Sequence, residues 1–179
     1  PLSINADRTL KRGARRNLQR FKLRRENLIE ILLRENFINK NTILVETGNA
    51  STFETLAFRT QAVKEKIDLD AFARVLLSIN KKRGYKSSRK AKNEEEGNLI
   101  DGMAVAKELY DRQITPGQFV LELLEQGKKY IPDFYRSDLK TEFDAIWEFQ
   151  KQFYPKIFTD DFYKSLEGQG QQNTRKRFL

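Results

Sequence analysis

The sequence contains no cysteine and no histidine among its 179 residues. Without cysteine the chain forms no disulfide, offers no thiolate ligand to a metal and has no thiol nucleophile. Without histidine it lacks the commonest general base of enzymes and the commonest zinc ligand. Enzymes whose chemistry depends on either side chain are therefore excluded for this chain.

Long apolar runs are also missing, and the mean hydropathy is −0.70. No stretch approaches the roughly 20 apolar residues of a membrane-spanning helix, so we expect a cytoplasmic protein without a membrane partner. The chain begins with Pro1 rather than Met. From this we expect a segment of a longer protein.

Other catalytic signatures are absent as well. The pairs Asp68/Asp70 and Asp160/Asp161 contain ligands that suit Mg²⁺, but each pair lies at a predicted helix start, where carboxylates accept hydrogen bonds from free N–H groups. Gly168 and Gly170 lie in a polar tail, where the strand and the Lys-Ser of a phosphate-binding loop are missing. We therefore expect no catalysis by this chain and no metal or cofactor in it.

Charge is distributed unevenly within the net total of +9. Residues 1–92 hold 22 basic and 9 acidic side chains, whereas residues 93–170 hold 9 basic and 16 acidic ones. The tail adds Arg175, Lys176 and Arg177. This asymmetry predicts a basic half that contacts a polyanion and an acidic half that supports it.

The strongest concentration of positive charge lies in residues 8–25, RTLKRGARRNLQRFKLRR, which contain no acidic residue. We predict a helix from about Arg8 to Glu35, capped by Asp7. Without an acidic partner four residues away, like charges on one helix repel one another. The nine basic side chains are Arg8, Lys11, Arg12, Arg15, Arg16, Arg20, Lys22, Arg24 and Arg25.

On a helix the apolar residues of this region share one narrow arc, about 80° wide at 100° per residue. They are Leu10, Ala14, Leu18, Phe21, Leu28 and Leu32. A helix on a membrane surface needs a broad apolar face and a single basic face. Positive charge on nearly every side instead favours a polyanion that wraps the helix, or two anionic strands on opposite sides of it. Either partner fits better than a membrane, and a merely solvated helix would leave the like charges to repel one another.

The rest of the chain is predicted to be helical, so the fold class is all-α, with an irregular helical domain after the long helix. Predicted helix starts are Ser51 with Glu54, Asp68, Asn98, Thr115 with Gln118, Ser137 and Thr159. Predicted helix ends are Lys66, Gly84, Arg112, Gly127 and Pro155, and residues 93–97 are predicted to be a solvated hinge.

Two helices are predicted to bury an apolar stripe in the core. The first stripe is Phe72, Val75, Leu76 and Ile79, and the second is Leu139, Phe143, Ile146, Trp147, Phe149 and Phe153. We divide the chain into 1–50, 51–92 and 93–179.

A second basic segment, KKRGYKSSRKAK at residues 81–92, carries seven basic residues and no acid. It is predicted to be a loop that contacts phosphates, with Tyr85 available to stack on a base or sugar. A disordered basic linker explains the composition equally well.

Three stretches resemble one family in the same order. RTLKRGARRNLQRFKLRRENLIEIL, residues 8–32, resembles the arginine-rich bridge helix of the type II CRISPR-associated, RNA-guided DNA endonucleases. LAFRTQAVKEKIDLDAFARVLLSINKKRGYKSSRK, residues 56–90, is similar to the start of the recognition lobe in compact members, where a helix ends in an Arg-Gly-Tyr/Phe motif. FYRSDLKTEFDAIWEFQ, residues 134–150, is similar to a later recognition-lobe helix.

This resemblance implies binding to a guide RNA with its trans-activating RNA, and to target DNA as a heteroduplex. The guide-contacting arginines of the family correspond to Arg12, Arg15, Arg16, Arg20 and Arg24, whereas Asn17 and Phe21 stand where some members have arginine. Arg83, Gly84, Tyr85 and Lys86 match the motif that touches the guide or its repeat-derived duplex. The implied RNA-binding set adds Arg8, Lys11, Lys22, Arg25, Arg89 and Lys90.

The resemblance also implies a bacterial parent nuclease that needs Mg²⁺. Its first nuclease motif is expected before Pro1, and its HNH module requires the missing histidine. Two other functions remain open. One is a protein-interaction module whose basic helix docks an acidic protein, such as a CRISPR inhibitor. The other is a general RNA-binding structural protein of the ribosomal type.

Overall fold

The structure is a computed structural model that describes residues 3–39, 48–81, 84, 94–128 and 131–167, with the side chains of 48–51 and 94–101 excepted. Within these residues it contains helices and no strand, which confirms the predicted all-α class. The helices are α1 (Ile4–Arg34), α2 (Gly48–Gln61), α3 (Leu69–Lys81), α4 (Glu94–Arg112), α5 (Pro116–Glu125), α6 (Arg136–Lys151) and α7 (Asp160–Glu167).

Helix α1 begins four residues before the predicted start at Arg8. Its N-cap is Ser3, whose Oγ accepts a hydrogen bond from the Ala6 N–H at 3.3 Å. Asp7 lies in the first turn, where its carboxylate pairs with Lys11 at 2.8 Å. The predicted Asp7 cap is therefore wrong. The Oγ of Ser3 caps the helix one turn earlier, and Asp7 inside the helix is free to pair with Lys11 four residues later.

The other end of α1 is fixed to the body by a tight turn. Asn36 adopts a left-handed conformation with φ of 58°, and the Phe37 N–H donates to the Leu32 carbonyl at 2.9 Å. This is the pattern of a Schellman motif, in which the residue after the turn packs back on the last helical turn. Leu28, Leu32 and Phe37 are all buried, so the C-terminal end of α1 is a firm anchor.

Aromatic side chains make up the centre of the core. The Phe37 ring lies 4.9 Å from Phe162 and 5.6 Å from Phe72, measured between ring centroids. Phe158 lies 4.7 Å from both Phe72 and Trp147. One cluster thus includes residues from Leu28 to Leu166 and draws on all three predicted segments, 1–50, 51–92 and 93–179. That division stays a prediction.

Helix α2 differs from its prediction at both ends. It begins at Gly48, so Ser51 lies inside the helix and is not its cap. It ends at Gln61 and not at Lys66, because the side chain of Gln150 in α6 makes hydrogen bonds with the backbone of the residues that follow Gln61. The Gln150 Nε2 donates to the carbonyls of Ala62 and Glu65 at 2.7 Å each, and its Oε1 accepts from the Ile67 N–H at 3.2 Å.

Helix α3 follows its predicted pattern. The Asp68 carbonyl accepts a hydrogen bond from the Phe72 N–H at 2.8 Å as the helix begins. The stripe of Phe72, Val75, Leu76 and Ile79 is at most 1% exposed. The described helix runs to Lys81, and Gly84 has the left-handed conformation that was predicted for it, with φ of 73°.

For helices α4 and α5, one prediction is wrong and the others are confirmed. The predicted hinge is wrong from Glu94 onward, because the acidic run opens α4, where carboxylates suit the positive end of the helix dipole. The Thr115/Gln118 capping box of α5 is confirmed, with hydrogen bonds of 3.3 and 2.8 Å. Gly127 ends that helix in a left-handed conformation, with φ of 74°.

Helix α6 starts at Arg136, one residue before the predicted Ser137, and Asp138 accepts a hydrogen bond from the Tyr135 N–H at 3.1 Å. Leu139, Phe143, Ile146 and Trp147 are buried as predicted, Phe149 is half-buried, and Phe153 lies beyond the helix and is 42% exposed. The helix ends at Lys151, four residues before the predicted stop at Pro155. The Thr159 cap of α7 is confirmed by a 3.2 Å bond from the Phe162 N–H.

A buried ion pair links α2, α5 and α6. Arg59 and Glu142 have side chains 8% and 0% exposed and form two hydrogen bonds, one of them between Arg59 Nε and Glu142 Oε1 at 3.2 Å. Glu142 Oε1 also accepts from the Gly117 N–H at 2.9 Å. A side chain at position 117 would contact both members of the pair, so glycine is required where α5 approaches.

A second required glycine lies after α3. Gly84 has φ of 73°, and a Cβ there would lie 2.7 Å from the Phe134 carbonyl oxygen and 3.0 Å from the Arg136 nitrogen. Only a residue without a side chain allows this approach of two backbones. The backbone at Gly84 therefore lies directly against the start of α6.

We predict that Glu142→Gln destabilises the fold by about 3–5 kcal/mol, because it leaves the buried Arg59 cation without a counter-charge. Glu148→Gln, an exposed position on the same helix, is the matched control and should change the free energy of unfolding by less than about 0.5 kcal/mol. Urea unfolding measures both. Equal effects of the two substitutions would contradict the structural role of the pair.

We predict that Gly84→Ala destabilises the chain more than Gly127→Ala. Both glycines are left-handed, which costs an alanine about 1–2 kcal/mol, but nothing lies within 4 Å of a Cβ at Gly127. The clash with the Phe134 carbonyl should add about 1–3 kcal/mol at Gly84. The difference between the two unfolding free energies isolates the close contact, and a difference near zero would argue against it.

Candidate nucleic-acid interface

The N-terminal half of α1 extends away from the core. Every side chain from Arg8 to Arg20 is exposed, and the first buried residue of the helix is Leu28. At 1.5 Å per residue, this exposed stretch is about 20 Å long. Its full circumference is open to solvent.

The predicted apolar arc packs only at its C-terminal end. Leu28 and Leu32 are buried and Phe21 is half-buried, whereas Leu10 is 59% and Leu18 68% exposed. The arc is continuous in sequence, but in the described structure the core reaches only its last turns. Leu10 and Leu18 therefore lie in solvent between the basic side chains.

Few carboxylates neutralise this helix. Lys11 pairs with Asp7 at 2.8 Å and Lys22 with Glu26 at 3.7 Å, which corrects the expectation that no acid lies four residues from a cation. Exposed pairs of this kind contribute little free energy. Within the described residues, no ion pair or hydrogen bond involves the side chains of Arg8, Arg12, Arg15, Arg16 and Arg20.

Arg24 lies where α1 enters the body, and its surroundings are unusual. Its Nε is buried and has no hydrogen-bond partner among the described residues, and its Cζ lies 6.0 Å from the centre of the Phe21 ring. Burial, and then repulsion by Arg136, lower the pKa of Arg24. The Nε of Arg136 is also buried. The like charge of Arg136 thus adds to the cost of burying the Arg24 guanidinium.

Gly84, the central residue of the Arg-Gly-Tyr motif, packs against the backbone of Arg136 at the start of α6. The other predicted residues of that motif region, Arg83, Tyr85, Lys86, Arg89 and Lys90, lie outside the described residues. Arg136 was missed by the sequence analysis. Its only signal was the resemblance of residues 134–150 to a recognition-lobe helix.

The predicted acidic pairs were compared with the requirements of a metal site in the described part of the chain. This part contains no group of three acidic side chains placed to hold a metal ion. Asp160 pairs with Lys151 at 3.3 Å, and Asp68 and Asp70 flank the start of α3. Nor does any described helix combine the length and apolar character needed to cross a membrane.

Comparison with known proteins gives one consistent result. No family model matches the chain. The chain is 24% identical over 191 residues to the CRISPR-associated endonuclease Cas9 of Campylobacter jejuni, a match that covers 90% of this chain and 19% of that protein. The chain thus spans about a fifth of the curated relative it matches.

Solved structures agree on the fold. A St1Cas9–sgRNA–tDNA59-ntPAM complex matches with a TM-score of 0.73 and 22% identity, over 94% of this chain and 21% of that one. A dimeric St1Cas9–sgRNA–tDNA20–AcrIIA6 assembly matches with a TM-score of 0.71 and 21% identity, over 96% and 23%. Campylobacter jejuni Cas9 with sgRNA and target DNA gives 0.61 and 24%, over 90% and 25%.

These similarities bear out the resemblance that the sequence motifs predict. In sequence and in fold, this chain matches a segment of the compact type II CRISPR-associated endonucleases.

Proposed function

We propose that this chain is a non-catalytic part of a CRISPR RNA-guided DNA endonuclease. It binds the guide RNA and the guide–target heteroduplex through their phosphates. The exposed half of α1 holds the guide backbone around its seed, and the segment that contains Gly84 touches the guide or its repeat-derived duplex. The trans-activating RNA is bound with the guide.

The observation that carries this proposal is the free half of α1. Five arginines project from a helix that nothing else covers within the described structure. Guanidinium groups donate paired hydrogen bonds to phosphate oxygens and stay charged at any physiological pH. Charge around the full circumference fits a backbone that surrounds the helix better than a flat anionic surface.

Phosphate contacts of this kind supply affinity without reading base sequence. In RNA-guided recognition, sequence is read by base pairing, and the protein recognises backbone and A-form shape. A helix with many arginines suits that division of labour. The predicted stacking of Tyr85 on a base or sugar would add shape selectivity.

The relatives support the same ligands. The similar structures named above contain sgRNA and target DNA together with Cas9. Because the present chain corresponds to about a fifth of such a protein, we assign the nuclease chemistry and its Mg²⁺ requirement to other parts of the parent. The cytoplasm of a bacterium is the corresponding location.

A second candidate is an acidic protein that occupies the same helix. One similar structure contains AcrIIA6 with Cas9, sgRNA and target DNA. An arginine helix without bound RNA offers an acidic inhibitor the same charges and the exposed Leu10 and Leu18. RNA and such a protein would then compete, whereas separate sites would allow both to bind.

We predict steeply salt-dependent binding to a labelled hairpin RNA with a stem of about 20 base pairs, measured by fluorescence anisotropy. With about six phosphate contacts, affinity should fall on the order of 10³-fold between 50 and 200 mM salt. Arg15→Ala with Arg16→Ala should lower the slope of log K against log salt by about 1.4–1.8.

The matched control is Lys107→Ala with Lys164→Ala, which removes the same charge from exposed positions on α4 and α7. It should leave the slope nearly unchanged. An RNA–DNA heteroduplex should compete better than a B-form DNA duplex of the same length. Tight binding with a flat salt dependence, or equal slopes for both double variants, would overturn the proposal.

A further inference from the structure

Two pairs of apolar side chains project from the surface of the described structure. Leu10 and Leu18 of α1 are exposed, as noted above, and Met103 and Tyr110 of α4 are 61% and 76% exposed. These pairs include four of the five most exposed large apolar side chains among the described residues. Single exposed apolar residues are ordinary, but residues grouped on one helix face are typical of a contact with another protein.

The spacing within the two pairs is similar. Leu10 and Leu18 are eight residues apart, and Met103 and Tyr110 are seven residues apart, so each pair lies along one side of its helix. At 1.5 Å per residue, the pairs span about 12 and about 10.5 Å. The opposite side of α4 packs on the body through the buried Val105. Two helices packed side by side can therefore bring both pairs into contact at once.

The two helices also carry opposite net charge. Helix α1 contains ten basic and three acidic residues, whereas α4 contains six acidic and two basic ones. Asp111, beside Tyr110, is exposed and forms no ion pair within the described structure. The free arginines of α1 likewise lack carboxylate partners there. Complementary charge of this kind steers association and selects the partner.

These two surfaces do not meet within one chain, because all four apolar side chains are exposed in the described structure. A second copy of the chain carries both surfaces and can supply the missing one. The net charge of +9 on each copy opposes their approach. Charges farther apart than a Debye length, about 10 Å at 0.1 M salt, are however largely screened. The opposite charges at the contact therefore outweigh the distant like charges.

We propose that, without RNA, copies of this chain associate head to tail, with Leu10 and Leu18 of one copy packed against Met103 and Tyr110 of the next. A contact between two different surfaces extends into open chains or closes into rings. It involves two short helix stretches, so it belongs to the weak, transient interfaces below about 1,200 Å². The inference rests on the proposed function in one respect: RNA that encloses α1 covers Leu10 and Leu18 and returns the chain to monomers.

Analytical ultracentrifugation over a wide range of protein concentration tests the contact. In low salt the weight-average mass should rise with concentration, and high salt should reverse the rise. Leu10→Gln with Leu18→Gln, and Met103→Gln with Tyr110→Gln, should each weaken association about tenfold or more, because two apolar side chains lose their burial. Glutamine is a good helix former, so both helices should persist. The control is Phe53→Gln, at an exposed apolar position of α2, and should associate like the unmodified chain.

A mixture of the two double variants gives the sharpest result. Each variant keeps one intact surface, so the mixture should form one-to-one pairs that do not grow further. Lys107 is exposed on α4 between Met103 and Tyr110 and repels the cations of α1, so Lys107→Glu should strengthen association. A mixture without pairs, weaker association of Lys107→Glu, or a loss in Phe53→Gln equal to that of the double variants would overturn the proposal.

The hairpin RNA separates this contact from the proposed function. Excess RNA should dissociate the assemblies, and Met103→Gln with Tyr110→Gln should bind RNA at least as tightly as the unmodified chain. Association through both surfaces, with no RNA binding, would retain the contact and reject the function. Monomers at every concentration in low salt, with steeply salt-dependent RNA binding, would reject the contact and retain the function. Assemblies that stay intact while RNA is bound would also reject the contact, because α1 would then not be shared.

Discussion

The buried pair of Arg59 and Glu142 determines how the body of this protein is assembled. A guanidinium group loses its hydration when it is buried, and it is tolerated only when an anion and hydrogen-bond acceptors replace the lost water. Glu142 meets that need from α6 and accepts the Gly117 N–H of α5 at the same time. Three helices are thereby fixed relative to one another. The platform that α6 provides for Gly84 and Arg136 depends on that arrangement.

The same requirement explains the contrast between the two ends of α1. At its C-terminal end, apolar packing of Leu28, Leu32 and Phe37 anchors the helix in the aromatic core. Toward its N-terminal end the cations have water and few carboxylates around them. Between these regions Arg24 is neither fully solvated nor paired with an anion in the described structure. The point where α1 passes from the core into solvent is therefore also the point where a partly buried cation, Arg24, has no anionic partner among the described residues.

Sequence patterns predicted the features that depend on local chemistry. The all-α class, the Thr115 and Thr159 caps and the stripes of α3 and α6 rest on spacing and on side chains that act within one or two turns. The errors have tertiary or competing local causes. Gln150 ends α2 from a distance of more than eighty residues in sequence, and Ser3 displaces Asp7 as a cap. Arg136 could not be identified because its burial and its contact with Gly84 are created only by the fold.

The free half of α1 carries a cost that a polyanion would relieve. Arg8, Arg12, Arg16 and Arg20 follow one another at intervals of four residues, and like charges at that spacing each destabilise a helix by about 0.2–0.5 kcal/mol. No packing compensates for this repulsion between Arg8 and Arg20, where every side chain is exposed. Neutralisation by phosphates removes it, so part of the binding free energy reappears as stability of the helix itself. Strong helix formers such as Leu10, Ala14 and Gln19 keep this part of α1 helical in the absence of a ligand. The same arginine charges that weaken the free helix favour the binding of a polyanion.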